Sequence, residues 1–600
     1  MTAYLALIRA HLKLALRERS VLVFGYLFPV LFFAGFAEFM GEGAASAMAR
    51  IVSMVLVFGL LGNGLFGAGI RAVAEREAGI LRRFRVTPIS PAPMLVASLV
   101  TGWLLYLPSF VTIIGIAHFR YGMPFPDRWL SLLVFVSIGC VAMRAIGLMV
   151  AAVANSVNES NILVQLLYMP MLFISGATFP IGAMPPALQV SAQFLPSSYL
   201  NTGIQRIIIR QDSIVVISGQ VAALVLSITL ATFIGMKIFR WEKDQALPRS
   251  AKLWLLAVFL PFLALGMYQV RSQDNIVAAK LLDRDMRRNR TRLIRGARVF
   301  TGDGRLLETG AVLIRNGKVA QVFSGAGPEP VSVQAEAIEG AGRTLLPALI
   351  DSAVDLSRTG GAALPSGGDP RDEVQRALAA YLYCGVTTVG LTGDAPEAFL
   401  ALSWKVLSGE RLGAMPVRAP AAAGNGSPSL SVVEARRFLR ERNPAALSRP
   451  LLQQVAQPSL LDATRKALVE GRLSSPLEID AVTMEEASAQ LASLWKSGLS
   501  LAPATHSGWP LLIHGPAIHR ELQLWVRAGL TPAAALQAAT ANAARHLGMG
   551  GRIGSIKPGF DADLLLVEGN PLEDIAATER ISTVFYKGER VDRTALLEQE

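Results

Sequence analysis

The chain has 600 residues, of which 52% are hydrophobic and 17% are charged, and its formal net charge is +12. It is too apolar to consist only of ordinary soluble domains, and the apolar residues concentrate in its first half. Arginines and lysines beside apolar spans account for much of the charge, so the charge does not indicate nucleic-acid binding. Cys140 and Cys384 are too few for a disulfide framework and show no metal-ligand spacing.

The first half of the chain predicts a membrane bundle. Tyr4 to Glu18 has apolar residues at helical spacing opposite three basic residues, which predicts a helix at the membrane surface. Runs of membrane-spanning length follow at about 20–40, 50–73, 95–118, 129–154, 160–179 and 214–238. An even number of spans places both ends of the bundle on one side, and basic residues identify that side as the cytoplasm. We therefore expect a multi-pass protein of the inner (cytoplasmic) membrane that contacts lipid.

A charged segment joins the second and third predicted spans. Its sequence from Ala72 to Pro88 is AVAEREAGILRRFRVTP, in which Ile80, Leu81 and Phe84 fall on one helical face and most arginines on the other. A basic cytoplasmic loop would also explain these charges. The sequence EREAGILRRFRVTPIS resembles the segment after the second span of ABC-2 type transporter permeases, where a coupling helix docks on a separate ATPase subunit. The resemblance implies that the ATPase is contacted by Glu75, Glu77, Gly79, Arg82, Arg83 and Arg85.

The same family resemblance extends to the region between the fifth and sixth spans. MPMLFISGATFPIGAMPPALQVSAQFLPSSYLNTGIQ is similar to the ABC-2 pattern of a broken span followed by short re-entrant or surface helices. The resemblance implies that Gly176 and Pro180 line the outer end of the translocation path, although a plain outer loop would also accommodate the prolines. Arg144, an intramembrane charge, is a further candidate for that path, with Glu159 as its possible partner. Snorkelling or a dimer contact would also explain Arg144.

No stretch fits the phosphate-binding sequence G-x-x-x-x-G-K-[ST], so we expect the chain to bind no cofactor and a partner subunit to use the ATP. The family resemblance also implies a homodimer or a second permease, because six spans form half of a transport path. The sequence does not identify the small-molecule cargo.

A seventh apolar run, at about 253–270, has no counterpart in a six-span permease. If it crosses the membrane, the rest of the chain lies on the outer (periplasmic or extracellular) face. An arginine cluster from 284 to 298 argues against this placement, but its influence weakens with distance from the span. The predicted organisation is a permease over 1–245, an extra span and linker over 246–274, and a further domain over 275–600.

The last domain resembles the metal-dependent amidohydrolase superfamily. Short strands with an Asn316-Gly317 hairpin turn begin it, and a second hairpin pattern ends it. The resemblance implies a small β-sandwich from 291–347 and 552–595, enclosing a truncated (β/α)8-type barrel over 348–551. The expected fold is thus multidomain: an all-α membrane bundle of six plus one transmembrane helices, followed by an α/β incomplete barrel with a sandwich.

The resemblance also locates the positions where this family holds its metal. Its paired first-strand histidines correspond to Ala353 and Asp355, and its late-strand aspartate corresponds to His506. Two potential ligands hold a metal poorly, so we expect no catalytic residues and no metal.

Three functions remain open. The first is an ABC exporter subunit with a catalytically inactive amidohydrolase-like domain. The second is a bifunctional transporter and zinc-dependent hydrolase of non-peptide C–N bonds. The third is a fusion in which only the permease works.

Overall fold

The computed structural model describes residues 2–17, 27–40, 45–84, 90–123, 125–181, 184–242, 245, 251–272, 274–361, 370–392, 396–407, 409, 411–420, 428–473 and 482–597. The chain divides into two compact units, Met1–Met286 and Arg287–Glu600. Each has its own apolar core, so each is described by itself.

All regular elements in the described residues of the first unit are helices. Its helices are α1 Thr2–Arg17, α2 Phe28–Met40, α3 Ala45–Leu61, α4 Arg71–Glu77, α5 Pro91–Phe119, α6 Trp129–Val153, α7 Val157–Phe173, α8 Pro186–Ala192, α9 Pro196–Arg210, α10 Ser218–Lys237, α11 Ala251–Ala257 and α12 Leu260–Ser272, and α13 Asp274–Arg288 leads into the second unit. A π-helical segment, Gly62–Ile70, joins α3 to α4 without a break.

Within the described residues, four helices are long and apolar enough to cross a membrane: Met48–Glu77, Pro91–Phe119, Trp129–Val153 and Ser218–Lys237. They correspond to four of the predicted spans. The helix of the fifth predicted span ends early, at Phe173, and the seventh run forms two short helices, α11 and α12. The first predicted span lies partly outside the described residues. A total of six plus one crossings therefore stays a prediction.

Helix α6 lies in the core of the bundle and meets the π-helical segment backbone to backbone. A Cβ atom added to Gly147 would lie 2.2 Å from the backbone oxygen of Gly64, and one added to Gly64 would lie 2.5 Å from Met143. A Cβ atom on Gly69 would lie 3.0 Å from the oxygen of Gly147. Only glycine permits this approach, which brings the two spans closer than side chains would allow.

The second unit begins and ends in the same sheet. Its strands are β1 Arg292–Phe300, β2 Leu306–Arg315, β3 Lys318–Ser324, β4 Glu336–Glu339, β5 Arg343–Pro347, β9 Leu564–Glu568, β10 Ile581–Tyr586 and β11 Glu589–Arg590. They lie in the order β11-β10-β9-β5-β1-β2-β3, with β4 beside β1. Strands from both ends of the domain meet as predicted, but their hydrogen bonds join them in one continuous sheet. The predicted hairpin turn is confirmed, since Asn316 and Gly317 both have positive φ angles between β2 and β3.

A second, parallel sheet carries the barrel portion. Strands β6 Leu349–Val354, β7 Val386–Leu391 and β8 Met415–Arg418 lie side by side in that order. On the other side of β6, the extended segment 503–507 exchanges backbone hydrogen bonds with it. The described residues therefore form an arc of parallel chain segments, which agrees with a truncated barrel.

Helices cover this arc and extend beyond it. They are α14 Pro370–Tyr383, α15 Pro396–Leu402, α16 Trp404–Leu407, α17 Leu430–Glu441, α18 Pro450–Val455, α19 Pro458–Val469, α20 Met484–Lys496, α21 Ala517–Arg527, α22 Pro532–Gln537, α23 Ala543–His546 and α24 Arg593–Leu597. Five apolar residues of strands β7 and β9 are fully buried in its core: Val386, Val389, Leu564, Leu565 and Leu566.

Candidate functional sites

The segment predicted to be a coupling helix is broken. Helix α4 ends at Glu77, Gly79 takes a φ of +70°, and Leu81–Phe84 forms one 3₁₀ turn. The prediction of one amphipathic helix was wrong here, because the left-handed glycine turns the chain. Leu81 is buried while Ile80 is 45% exposed, so the two do not share an apolar face.

The charges of this segment have defined neighbours. Glu75 accepts a hydrogen bond from Arg71 at 2.9 Å, and Glu77 accepts one from the backbone N–H of Val157 at 3.1 Å. Arg82 lies 3.5 Å from Glu242, and Arg83 is exposed. Arg85 lies outside the described residues. Glu77 therefore connects the segment to the start of α7, where unpaired helix N–H groups favour a carboxylate.

Two buried arginines hold the end of α6 beside this segment. Arg76 donates to the backbone oxygens of Ala151 at 2.8 Å and Ala154 at 2.5 Å. Arg240 donates to the oxygens of Ala152 and Ala154 and to the Asn155 side chain. The last carbonyls of a helix lack intrahelical donors, so both guanidinium groups satisfy them. The sequence predicts only that basic residues beside the spans face the cytoplasm, and the distant partners of these two arginines reveal this contact.

Arg144 is buried among neutral groups. It donates to the backbone oxygen of Ser98 at 3.0 Å and to the backbone and side-chain oxygens of Asn63 at 3.1 and 2.5 Å. The hydroxyl of Ser98 accepts another bond at 3.2 Å. Gly102 leaves the room for the guanidinium group, since a Cβ atom there would lie 2.0 Å from it. Arg144 thus links α5, α6 and the π-helical segment.

The other predicted path residues lie elsewhere. Glu159 does not bind Arg144 but accepts hydrogen bonds from the backbone and side chain of Asn155, at 2.8 and 2.9 Å, at the start of α7. Gly176 has a φ of +83° in the irregular stretch after α7, close to Ile181 and Asn201, and Pro180 is half-buried in the same stretch.

Helix α9 shows a buried polar face that we did not predict. The region was expected to hold short re-entrant or surface helices or a plain outer loop, and in the structure α9 is a helix whose residues are mostly buried. Its polar residues recur at helical spacing: Ser198, Asn201, Thr202 and Gln205. Asn201 accepts hydrogen bonds from Ser53 of α3 at 3.3 Å and from Gln205 at 3.2 Å. The three-to-four-residue spacing of these polar side chains was the available signal.

In the second unit, β6 and the segment 503–507 meet at a buried carboxyl group. Asp351 is fully buried and accepts hydrogen bonds from the Thr505 hydroxyl at 2.5 Å and backbone N–H at 3.1 Å. Burial raises the pKa of Asp351 to about 7, and the donors from Thr505 and Ala353 oppose this rise. The Asp351 carboxyl group thus connects β6 to the neighbouring segment 503–507.

The positions that correspond to the family's metal ligands do not form a ligand set. Ala353 offers a methyl group, and Asp355 accepts hydrogen bonds from the backbone and hydroxyl of Ser357 at 2.9 and 2.5 Å. Burial lowers the pKa of His506, and the Asp355 carboxylate opposes this effect. Nowhere in the described ranges do three or more His, Cys, Asp or Glu side chains group so as to hold a metal ion. The residues present therefore do not fit the metal that the fold family implies.

Two further histidines are structural. His514 bonds the hydroxyl of Tyr381 at 3.0 Å and the backbone oxygen of Arg358 at 2.7 Å. His519 is fully buried between the Thr578 hydroxyl at 3.0 Å and the Cys384 backbone oxygen at 2.9 Å. Burial lowers the pKa of His519 to about 4, so it is neutral near pH 7.

Comparisons with known proteins match the two units to different families. Residues 2–209 match the family model of the ABC-2 type transporter. YvfS of Bacillus subtilis, named as a transport permease, is 23% identical over 32% of this chain and 80% of its own length. Nodulation protein J of Rhizobium leguminosarum bv. trifolii is 31% identical over 19% of this chain and 44% of its own. The linearmycin resistance permease LnrN of Bacillus subtilis is 24% identical over 33% of this chain and 51% of its own. The chain thus spans about half of the length of the last two.

Residues 487–591 match the model of the amidohydrolase family. A solved structure of molinate hydrolase is 18% identical and covers 52% of this chain and 96% of its own, with a TM-score of 0.37. A TM-score of this size is too low to establish a shared fold by itself.

Proposed function

Because the chain joins an ABC-2 transporter permease domain to an amidohydrolase-family domain, we propose that it is the membrane subunit of an exporter driven by a separate ATPase subunit. The match of residues 2–209 to the transporter family carries this proposal. The structure supports it through four apolar helices of membrane-spanning length and a charged segment between two of them.

Within this proposal, the ATPase contacts the charged segment from Glu75 to Arg85. A movement of the charged segment would also move the helices α6 and α7. Arg76 binds the end of α6, and Glu77 binds the start of α7. The polar face of α9, together with Gly176 and Pro180, lines the outer part of the cargo path. A second permease copy or homologue completes that path in the inner membrane.

We further propose that the amidohydrolase-like domain, over 275–600 and on the outer face, does not hydrolyse by the metal-dependent route. At the positions that correspond to the family's metal ligands, Ala353 has no ligand atom and Asp355 accepts hydrogen bonds from Ser357. Without a bound metal ion, a water molecule at these positions keeps its ordinary acidity. The alternative, a zinc-dependent hydrolase of C–N bonds, would need ligands that these positions do not supply.

The proposed function is tested by purifying the tagged chain from its native membrane in mild detergent. We expect an ATPase subunit with a phosphate-binding loop to co-purify, and vanadate-sensitive ATP hydrolysis to depend on it. Purification of the chain in active form with no such subunit would overturn the proposal.

A further inference from the structure

The second unit contains a cavity that none of the family's metal positions lines. It has a volume of about 190 Å³ and lies between α17, the 3₁₀ turn Pro444–Leu447, α18 and the start of α21. Its walls are mainly apolar, with Phe438, Ala446, Leu452, Leu511, Leu512 and Ile513 among them. Drug-sized sites usually exceed about 300 Å³, so this cavity suits a smaller molecule.

Two arginines bring charge to this apolar cavity. Arg520 is held by both oxygens of Glu434, at 2.7 and 2.5 Å, and donates to Gln523 at 3.1 Å. Arg449 donates one hydrogen bond to Glu579, and its side chain is 23% exposed. A guanidinium group carries five N–H donors, so Arg449 keeps four that bind no other described residue. Arg520 uses three of its five donors, so Arg449 has more N–H groups available to a ligand.

The charge balance disfavours a ligand with two negative charges. The two arginines are already matched by the carboxylates of Glu434 and Glu579. A dianion such as phosphate would be repelled by both acids, whereas a monoanion on Arg449 meets its free N–H groups. A carboxylate fits the planar guanidinium fork through two parallel hydrogen bonds. An apolar body on that carboxylate would displace water from the leucine-lined wall.

We propose that this cavity binds a small organic carboxylate, with the carboxylate on Arg449 and an apolar body against Phe438, Leu452 and Leu512. The site does not depend on the ATPase partner or on a metal. The domain can therefore bind a small molecule even though it lacks the family's metal-binding residues.

The test uses 4-azidobenzoate, which combines a carboxylate with a small photoreactive ring. The full chain, in lipid nanodiscs, is illuminated with this probe, and the labelled peptides are mapped by mass spectrometry. We expect labelling within 430–452 and 511–520 that excess benzoate suppresses and excess benzamide does not. Because the labelled peptides are identified, labelling at this site can be distinguished from labelling of membrane segments by probe dissolved in the lipid.

Two variants and one control test the assigned contacts. Arg449→Gln removes the anchoring charge, and we expect labelling to fall about tenfold, as for one lost charge-assisted contact. Ala446→Leu leaves every charge in place and fills the cavity from a half-buried position, so it should also suppress labelling. Arg437→Gln, on the exposed side of α17, should label like the wild type. Equal labelling in all variants, or equal suppression by benzamide, would overturn the proposal.

Discussion

Arg76 and Arg240 donate hydrogen bonds to the same acceptor, the backbone oxygen of Ala154. Arg76 lies in helix α4, before the charged turn, and Arg240 lies in the non-helical stretch after α10. Their shared acceptor lies just beyond the end of α6, where the helix dipole is negative. Three parts of the bundle are thus connected at the end that carries the charged segment.

The first prediction concerns the acids of that segment. The double variant Glu75→Lys/Glu77→Lys should keep ATP hydrolysis but lose transport, because it reverses the charge offered to the ATPase and removes the carboxylate bound by Val157. Both quantities are measured in reconstituted vesicles that contain the ATPase subunit. Asp127→Lys, in the exposed loop before α6, is the control and should remain coupled. Normal coupled turnover of the double variant would contradict the prediction.

The second prediction concerns the room that Gly102 leaves for Arg144. Gly102→Ala should displace the guanidinium group and lower stability by about 1–3 kcal/mol, as overpacking does. Gly115→Ala, on the same helix, adds its methyl group where no atom lies within 4 Å and should be neutral or stabilising. Thermal unfolding in detergent, followed by circular dichroism, compares the pair. Equal midpoints for the two variants would show that Arg144 is not held as described.

The third prediction concerns the side of the membrane on which the second unit lies. Ala326→Cys places a thiol beside Gly325 at an exposed position, and both native cysteines are buried, so background labelling should be low. If 253–270 crosses the membrane, an impermeant maleimide should label this thiol from outside intact cells. Labelling only after lysis would place the unit in the cytoplasm and would make α11 and α12 interfacial helices.

The fourth prediction concerns metal. The purified full chain should contain no stoichiometric zinc, iron or manganese by mass spectrometry, because Ala353 supplies no ligand and Asp355 and His506 are too few to hold a metal ion well. It should also show no chelator-sensitive hydrolysis of amides, lactones or cyclic imides after metal addition. One metal ion per chain, lost together with turnover in Asp355→Asn and His506→Gln, would restore the hydrolase interpretation.

The fifth prediction concerns acid stability of the second unit. The pKa of His519 is about 4 in the folded chain and about 6.5 when unfolded, so the unfolded state binds the proton first as the pH falls. The contribution of His519 to stability is therefore full above pH 6.5 and is lost towards pH 4. One pKa unit corresponds to about 1.4 kcal/mol, which gives a total of about 3 kcal/mol.

This fifth prediction is measured by scanning calorimetry of the full chain between pH 4 and 7.5. His519→Gln should remove part of the pH dependence of the unfolding midpoint, while His546→Gln, at a less buried position, should change it less. Identical pH profiles for the wild type and His519→Gln would contradict the assigned protonation state.

Local patterns predicted the parts of the fold that depend on neighbouring residues. The Asn316-Gly317 hairpin and the apolar spans follow from turn chemistry and from hydropathy over one segment. The break at Gly79 was missed because the arginines around it also fit a helix. The partial ligand set could be read off the sequence, since Ala353 and Asp355 occupy recognisable positions in a family motif.

Contacts between distant residues could not be predicted. The hydrogen bonds of Arg76 and Arg240 to the end of α6, and of Asn63 to Arg144, join residues far apart in the chain. The spacing of apolar and polar residues within one segment does not indicate which distant residue will accept a hydrogen bond. The π-helical segment also meets a distant partner, because Gly64 and Gly69 permit the close approach of α6 but do not identify α6 as the helix that approaches.

The backbone contact between Gly64 and Gly147 has a mechanical consequence. Two helices that touch without intervening side chains have no rotamers to exchange, so a sliding step between them would bring backbone atoms into collision. We therefore expect the π-helical segment and α6 to move together. In the proposed transport cycle, we expect changes of shape where side chains separate the helices, as between α9 and α3, which Ser53 and Asn201 connect.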